Sequence, residues 1–345
     1  MDGTDPLDGS DRDALLSVDG LTVRLARAGG EGPALLEDVS FGIGRGEIVC
    51  LVGESGSGKS VTARTVMGLT QQDRGLIVSG RLRFRGERVD GDPARIGRLR
   101  GRELAMVFQE PMSSLDPLFT VESQLAESLR RRHGRLARTE RRRRMRTLLS
   151  DVGIHDPERV LGSFPHELSG GMCQRVMIAS ALAAEPALLI ADEPTTALDV
   201  TVQAQILRLI ERLRDEHGMA VLLVTHDMGV AAEIADRVLI MYSGHVVEDA
   251  APLQAFHDAR HPYTQGLLSC IPPMTGPRPA TLSAIPGMVP DPASRPEGCP
   301  FSPRCARSDD RCRTDPPELT TVAERRFACW HPLTAELSVG AGTAS

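Results

Sequence analysis

A glycine-rich segment near the start of the chain has the residue types that hold phosphate groups. It reads Gly53-Glu54-Ser55-Gly56-Ser57-Gly58-Lys59-Ser60 and fits the pattern G-x-x-x-x-G-K-S/T. Glycines let backbone N–H groups converge on phosphate oxygens, and a helix start adds its dipole. Lys59 is predicted to reach the β- and γ-phosphates of a nucleotide, and the Ser60 hydroxyl to ligate Mg²⁺. These residues and Val61 form the predicted nucleotide-binding loop; the alternative is a glycine turn that binds no ligand.

Two adjacent carboxylates follow an apolar run later in the chain. Leu188–Ala191 leads directly into Asp192 and Glu193, and the carboxyl ends of strands are where α/β folds bind ligands. Asp192 is predicted to hold Mg²⁺ directly or through water, and Glu193 to orient and polarise an attacking water. Alone, such a pair is most often a turn with a helix cap. Beside a phosphate loop it predicts hydrolysis of a nucleoside triphosphate.

The composition bounds the functional class. A chain of 345 residues with 41% hydrophobic content can form a packed core, and a net charge of −6 gives no general basic field for nucleic acid. Lys59 is the only lysine, which suggests that a compact ammonium is needed in the loop. The arginine run 141–144 is interpreted as a solvated helix face, although contact with anionic lipid headgroups also stays open. No stretch approaches the roughly 20 apolar residues that span a bilayer, and no signal peptide is evident.

The predicted strands and helices alternate in an order that would position both motifs. Residues 16–27 alternate as an edge strand would, residues 34–43 predict a second strand, and residues 47–52 a third that enters the glycine-rich loop. Helices are predicted from Lys59 to about Leu69 and at 121–153, 171–184, 202–216 and 228–235, with strands at 80–85, 104–108, 187–192, 220–225, 237–242 and 245–248. This order predicts a mostly parallel sheet with helices on its faces. After about residue 260 the chain is proline-rich and is predicted to form a separate, loop-rich appendage.

With further motifs in the same order, the sequence resembles the ATP-binding cassette (ABC) family. Leu168-Ser169-Gly170-Gly171-Met172 is similar to the family's signature loop, and Ala197-Leu198-Asp199 to the loop that links the two sites of a dimer. Gln109 resembles the glutamine that senses Mg²⁺ and faces the membrane partner, and His226 the histidine that contacts the γ-phosphate. The resemblance implies an α/β P-loop NTPase fold of the ABC type. Its parts would be a RecA-like core, an antiparallel β subdomain, a helical subdomain at about 112–170, and a small cysteine-containing extension.

The resemblance also implies a nucleotide site shared between two chains. In this family two cassettes pack head to tail, so Ser169, Gly170 and Gly171 are expected to contact ATP held by a partner, with Asp199 at the link. A glycine-rich loop before a helix offers N–H donors and a positive dipole for that purpose. The family usually has an aromatic ring near Leu25 to stack on adenine. This chain has no aromatic residue between Met1 and Ser40, which leaves nucleotide selectivity open.

Other segments narrow the resemblance to one branch. Residues 108–117 (FQEPMSSLDP), residues 261–264 (HPYT) and residues 298–305 (GCPFSPRC) are similar to the oligopeptide, dipeptide and nickel uptake branch. The branch implies an ATPase subunit at the cytoplasmic face of the membrane, bound peripherally to two permease subunits. An extracytoplasmic peptide-binding protein and a second similar ATPase, or a second copy of this chain, would complete the importer. No nucleic-acid partner is expected.

Four of the seven cysteines lie in the C-terminal segment, at Cys299, Cys305, Cys312 and Cys329. Their spacing matches neither the C-x₂₋₄-C pairs of structural zinc nor the common ferredoxin patterns. They place four soft ligands in a short segment that would gain order from a metal. The resemblance implies a 4Fe–4S cluster on these residues, while zinc and metal-free thiols or disulfides stay open. The other three cysteines, among them Cys173 in the signature helix, are interpreted as structural.

The predicted organisation is a disordered tail at 1–14, an ATPase domain at 15–260, the cysteine-containing extension at 261–335 and a disordered tail at 336–345. The predicted cofactors are ATP with Mg²⁺, whose ligands are Ser60, Gln109 and Asp192, and the cluster. One alternative is a soluble ABC-type ATPase switch in DNA repair or translation, but such proteins usually carry a coiled coil or tandem cassettes, which this sequence lacks. Another is a regulatory binder with weak hydrolysis, against which the intact Glu193 and His226 argue.

Overall fold

The computed structural model of the chain describes residues 14–195, 199–271 and 284–334. Apart from Ala14, the predicted tails at 1–14 and 336–345 lie outside the described residues, and so do Ala197 and Leu198 of the predicted linking loop. Within these ranges, no helix combines the length and apolar character needed to cross a membrane.

The strands and helices follow the predicted alternation. In chain order the strands are β1 (Leu16–Arg27), β2 (Gly30–Ile43), β3 (Ile48–Val52), β4 (Leu76–Phe84), β5 (Glu87–Arg88), β6 (Leu104–Val107), β7 (Leu188–Asp192), β8 (Ala220–Thr225), β9 (Arg237–Tyr242), β10 (His245–Ala250), β11 (Thr320–Val322) and β12 (Arg325–Phe327). The α-helices are α1 (Lys59–Val66), α2 (Pro93–Leu99), α3 (Pro111–Ser114), α4 (Val121–His133), α5 (Arg138–Asp151), α6 (Pro157–Gly162), α7 (Gly170–Leu182), α8 (Val200–His217), α9 (Met228–Ile234), α10 (Pro252–His257), α11 (Pro262–Ser269) and α12 (Asp310–Thr314).

An eight-stranded sheet in the order β11-β12-β10-β9-β3-β8-β7-β6 forms the centre of the molecule. Its strands from β9 to β6 run parallel, whereas β10, β12 and β11 join by antiparallel pairs. Every residue of β3, β7 and β8 is buried, as expected for parallel strands covered on both faces. The carboxyl ends of β3, β6, β7 and β8 therefore meet at one edge of the sheet.

The two faces of this sheet pack against different layers. Along β3, Ile48, Cys50 and Val52 belong to the core that includes the helices, whereas Val49 and Leu51 belong to the core beneath a second sheet. This division follows from the alternation of side chains along a strand. The central strand thus supports both layers and ends in the glycine-rich loop.

The second sheet is antiparallel and has the order β2-β1-β4-β5. It corrects the prediction that residues 16–27 form an edge strand, because β1 pairs with β2 on one side and with β4 on the other. An alternating sequence shows that one face of a strand is buried and the other is not. It does not show how many neighbours the strand has, so the pattern alone could not place β1 in the sheet.

Helices α4 to α7 form a cluster beside the large sheet. Leu125 and Leu129 of α4 and Leu149 of α5 are almost fully buried in the core, at the helical spacing read from the sequence. On the outer face of α5, Arg142 pairs with Glu122 and with a second glutamate. Arg143 and Arg144 pair with Glu140 of the same helix, and their side chains are 62% and 34% exposed. The partial exposure fits the interpretation as a solvated helix face, and the ion pairs were not predicted.

The C-terminal segment continues the large sheet. Strand β12 pairs with β10, so that Phe327 lies opposite Glu248, and Phe301 and Cys312 belong to the helix-side core. The expectation of a separate appendage is therefore wrong. Strands of three residues are too short to show alternation in the sequence, so the pairing with β10 was missed.

Candidate functional site

The glycine-rich loop connects β3 to α1 in a conformation that requires its glycines. A Cβ atom on Gly53 would overlap the carbonyl oxygen of Met241 and lie 2.8 Å from Ser57 Oγ. Gly58 has φ of 104°, in the left-handed region, and a Cβ there would lie 2.6 Å from Leu36 Cδ2. Close packing thus requires glycine at both positions, and the backbone conformation also favours it at Gly58.

Lys59 folds back onto its own loop. Its Nζ donates hydrogen bonds to the carbonyl oxygens of Gly53 at 2.7 Å and Glu54 at 2.9 Å. Burial lowers the pKa of Lys59, and the nearby carboxylates of Glu193 and Asp192 act in the opposite direction. The structure therefore holds the ammonium inside the loop, near the predicted catalytic carboxylate of Glu193 and the predicted Mg²⁺ ligand Asp192.

Ser60 and Asp192 meet beside the loop. The Ser60 hydroxyl donates to Asp192 Oδ1 at 3.0 Å, and Asp192 ends strand β7. Burial raises the pKa of Asp192, while the hydrogen bond from Ser60 lowers it. A hydroxyl and a carboxylate this close supply the hard oxygen ligands that Mg²⁺ prefers, so this pair fits the predicted ion.

Two side chains from neighbouring strand ends converge on the carboxylate of a third. Glu193 Oε2 accepts a hydrogen bond from Gln109 Nε2 at 3.0 Å and lies 3.4 Å from His226 Nδ1. Gln109, Glu193 and His226 follow β6, β7 and β8 closely. Glu193 has φ of 47°, a conformation that non-glycine residues rarely adopt and that often occurs at functional sites. The structure thus brings together residues that lie far apart in the sequence.

The predicted signature and linking residues lie at two helix starts. Ser169 directly precedes α7, and its Oγ accepts a hydrogen bond from the backbone N–H of Met172 at 3.3 Å. Asp199 directly precedes α8, and its Oδ1 accepts one from the backbone N–H of Val202 at 2.9 Å. Ser169, Gly170 and Asp199 are exposed. Within the described part of the chain, no hydrogen bond joins them to the glycine-rich loop, so their predicted contact with a partner's nucleotide stays a prediction.

The signature helix is nevertheless tied to the strand-end carboxylates. Gln174 of α7 is buried, and its Nε2 donates to the carbonyl oxygen of Pro194 at 2.6 Å. Pro194 directly follows Glu193. The neighbouring Cys173 is fully buried, which confirms its interpretation as a structural residue.

Sequence reasoning missed the contacts that hold the glycine-rich loop from the C-terminal segment. Arg304 donates to both carboxylate oxygens of Glu54, and the Glu54 N–H donates to the hydroxyl of Tyr263. Glu54 was predicted only as part of the nucleotide-binding loop, and HPYT only as a mark of resemblance. One available indication was the scarcity of tyrosine: the chain has two, and both lie in this region.

The four C-terminal cysteines line one small cavity, together with His261, Phe301, Trp330 and neighbouring residues. Cys299 and Cys312 are buried, and Cys305 and Cys329 are partly buried. Burial raises the pKa of Cys299 to about 11 and that of Cys329 to about 12. The thiols are therefore neutral near pH 7, and a metal would displace their protons on binding.

The arrangement of the thiols discriminates between the metals considered. Tetrahedral zinc with Zn–S bonds of about 2.3 Å needs sulfur atoms roughly 3.8 Å apart. Among the described residues, the one group of three donor atoms within 4.8 Å of each other is Asp309, Cys312 and His331, which includes a single thiol. Asp309 also pairs with His331 at 2.8 Å, which explains that proximity without a metal. Among the described residues, no three of the thiols therefore lie at the mutual spacing that one zinc ion needs.

Comparison with known families gives two matches along the chain. The family described as ABC transporter matches residues 36–196. The family described as oligopeptide/dipeptide transporter, C-terminal region, matches residues 247–312. The first range contains the glycine-rich loop and both strand-end carboxylates, and the second contains Tyr263 and Arg304.

Curated relatives match over nearly their full length. The dipeptide transport ATP-binding protein DppD of Escherichia coli is 45% identical over 93% of this chain and 97% of its own. The oligopeptide transport ATP-binding protein AppD of Bacillus subtilis is 46% identical over 89% of this chain and 93% of its own. Among solved structures, a dimer of the ATP-binding cassette MJ0796 in a post-hydrolysis state with ADP and Pi is similar. It has a TM-score of 0.61 and 31% identity, and the match covers 69% of this chain and 98% of that one.

Proposed function

Because the chain belongs to the ABC transporter ATPases with an oligopeptide/dipeptide C-terminal region, we propose that it powers the import of oligopeptides or dipeptides by hydrolysing ATP. The observation that carries this proposal is the convergence of Gln109 and His226 on Glu193, next to the Ser60–Asp192 pair. Such a constellation can bind a metal–triphosphate and activate a water at its terminal phosphate. The peptide substrate is proposed from the names of the relatives.

The glycine-rich loop and its helix bind the nucleotide phosphates. Lys59 exchanges its carbonyl partners for phosphate oxygens, since its flexible stem lets Nζ turn outward from Gly53 and Glu54. Ser60 and Asp192 would hold Mg²⁺, with the amide oxygen of Gln109 as a further proposed ligand. When bound there, the ion would supply positive charge to the phosphate oxygens.

Glu193 orients and polarises the attacking water. Gln109 and His226 contact one of its carboxylate oxygens, so they fix the direction in which the carboxylate points. When a γ-phosphate enters, His226 can turn toward it, because 60% of its side chain is exposed. Glu193 then accepts a proton from the water that it orients.

A second cassette completes the site. The exposed start of α7 includes Ser169, Gly170 and Gly171. Among the described residues, its backbone N–H groups do not bond to the glycine-rich loop of the same chain. We propose that this surface contacts ATP on a partner, with Asp199 at the link between the sites. The dimeric state named for MJ0796 supports this arrangement.

Permease subunits are the proposed membrane partners. Beside Gln109 the chain exposes Phe108, Met112, Leu118 and Phe119, whose exposed fractions range from 42% to 80%. Adjacent exposed apolar side chains of this size indicate a protein contact. We propose that two permease subunits bind here and hold the chain at the cytoplasmic face of the membrane. An extracytoplasmic peptide-binding protein and a similar second ATPase complete the importer.

The cysteine cavity is proposed to hold a 4Fe–4S cluster on Cys299, Cys305, Cys312 and Cys329. Its support is that four soft ligands line one cavity and that, among the described residues, no three of them lie within the spacing of one zinc site. Anaerobically purified protein should contain iron and sulfide and show a broad band near ~400 nm. Cys312→Ser should lose both, whereas Cys270→Ser, outside the cavity, should keep them. Protein that contains zinc, or no metal, contradicts the proposal.

The catalytic assignment is tested by Glu193→Gln. The amide keeps the size of the side chain but cannot take a proton, so turnover should fall by about 10²- to 10⁴-fold while ATP still binds. Glu216→Gln is the matched control, because Glu216 lies on α8 and its side chain is 55% exposed. ATPase rates and equilibrium binding of ATP are measured on both variants. Turnover of Glu193→Gln within a few fold of the unmodified chain would refute the assigned role.

A further inference from the structure

One residue of the glycine-rich loop is held from a distant part of the chain. Arg304 Nη1 donates to Glu54 Oε2 at 2.6 Å, and Nη2 donates to Glu54 Oε1 at 3.1 Å. This is a two-point contact between planar groups, the strongest form of the arginine–carboxylate pair. Arg304 lies in the cysteine-containing segment and directly precedes Cys305, so the pair joins that segment to the nucleotide loop.

Arg304 is fixed in place by further contacts. Its side chain is 5% exposed. Nε donates to the carbonyl oxygen of Pro286 at 2.8 Å, Nη2 also donates to that of Ile285 at 3.2 Å, and the guanidinium lies 5.7 Å from the centre of the Tyr242 ring. The position of Glu54 is therefore set by the fold of the C-terminal segment.

A second contact holds the backbone of the same residue. The Glu54 N–H donates to the hydroxyl of Tyr263 at 2.9 Å, and Tyr263 is fully buried. The HPYT segment fixes this tyrosine at the start of α11. There His261 Nδ1 accepts from the Tyr263 N–H, and Glu248 accepts from the Thr264 hydroxyl. The N–H of Glu54 therefore already has a partner and does not point toward a phosphate.

These contacts hold Glu54 at three points. The third is its carbonyl oxygen, which accepts from Lys59. A phosphate loop binds well when its free N–H groups are directed before the ligand arrives, since ordering the loop afterwards costs affinity. A residue held by its N–H, its carbonyl oxygen and its side chain can supply that order to the residues that follow it.

We propose that Arg304 and Tyr263 are positioning residues of the nucleotide site and act on ATP binding through Glu54. The C-terminal segment is then part of the machinery that binds ATP, and Glu54 anchors the loop instead of contacting phosphate. The inference rests on the proposed ATPase function. If the unmodified chain bound no ATP, that function would fail before this inference could be judged.

The test compares Arg304→Gln, Arg304→Lys and Tyr263→Phe with Arg313→Gln, a control on exposed α12 of the same segment. Equilibrium binding of ATP is measured without Mg²⁺, so that no hydrolysis occurs. Arg304→Gln and Tyr263→Phe should raise the Kd about 5- to 10-fold, since each removes a buried bond to the loop. Arg304→Lys keeps the positive charge but not the two-point contact of the guanidinium. Its Kd for ATP should lie between those of these two variants and that of the unmodified chain.

Two further readouts separate positioning from loss of structure. At saturating ATP and Mg²⁺, kcat should stay within about twofold while KM rises, because the catalytic side chains are unchanged. Metal content and unfolding temperature are measured on every variant; metal content should match the control, and the unfolding temperature should fall only modestly, as expected for the loss of one buried bond. If Arg304→Gln does not fold, Arg304→Lys and Tyr263→Phe decide the question.

A double variant shows whether Arg304 acts through Glu54. If it does, Glu54→Gln and Arg304→Gln combined should weaken ATP binding no more than the stronger single change, because both remove the same contact. If the fold-increases in Kd of the two single variants multiply in the double variant, the proposal is overturned. So would a Kd for Tyr263→Phe equal to that of the unmodified chain, or an equal rise in Arg313→Gln.

Discussion

Replacing Gly53 by alanine adds one methyl group, and we expect that group to weaken ATP binding or to destabilise the fold. Gly53 is the first residue after β3, and its Cα faces the backbone of β9. The added Cβ would overlap the carbonyl oxygen of Met241 and lie 2.8 Å from Ser57 Oγ. The Ser57 side chain can rotate away, but the carbonyl belongs to a paired strand and cannot move alone.

The expected magnitude follows from these contacts. Adding a methylene to a well-packed site costs about 1–3 kcal/mol, and contact with a paired backbone places this change at the upper end. If the loop moves away from β9 to relieve the overlap, its N–H groups lose their alignment. A loss of this size corresponds to roughly a 10- to 150-fold rise in the Kd for ATP. If the loop does not move, the same cost reduces the free energy of unfolding.

The assay therefore measures both quantities, ATP binding at equilibrium and unfolding by urea. Gly162→Ala is the matched control, because a Cβ at that helix end meets no atom within 4 Å. It should leave binding unchanged and keep or slightly raise stability. If Gly53→Ala binds ATP with the original Kd and unfolds at the original urea concentration, the packing explanation for this glycine is refuted.

Two other predictions concern single charged groups. Burial, with Arg295 beside the ring, lowers the pKa of His245 to about 4, whereas an unfolded histidine titrates near ~6.5. The free energy of unfolding should therefore fall as the pH drops from about 6.5 to 4, because the unfolded chain binds the proton first. His245→Gln should flatten that slope in urea unfolding at pH 7, 6 and 5, and equal slopes would contradict it. Lys59→Arg should raise the Kd for ATP about 100-fold, since the wide guanidinium cannot replace an ammonium between two loop carbonyls; fluorescent-nucleotide titration checks this, and binding within twofold would refute it.

The parts of the site that were predicted from the sequence are those with a local pattern. The loop from Gly53 to Ser60 and the pair Asp192 and Glu193 each carry residue type, spacing and a flanking apolar strand within a few positions. Their meeting in space followed from one rule, that parallel strands end at the same edge of a sheet. The mostly parallel sheet was predicted from the alternation of strands and helices, which allows few arrangements, whereas the ABC-type fold was implied by the family resemblance.

The parts that were missed depend on contacts between distant positions. Glu54 and Arg304 are separated by 250 positions, and Glu54 and Tyr263 by 209, so no local pattern could pair them. The placement of β1 and the pairing of β12 with β10 failed in the same way. In both cases the sequence described one strand, and the structure depended on its neighbours.

The single lysine gives the chain a property that is useful in the laboratory. Lys59 carries the only side-chain amine in the sequence, and it lies inside the nucleotide loop. Growth on isotope-labelled lysine would therefore place one spectroscopic reporter at the bound phosphates, without any substitution. Amine-acylating reagents would likewise modify a single side chain, and the rate of modification at Lys59 would report directly how fully the loop is occupied by nucleotide.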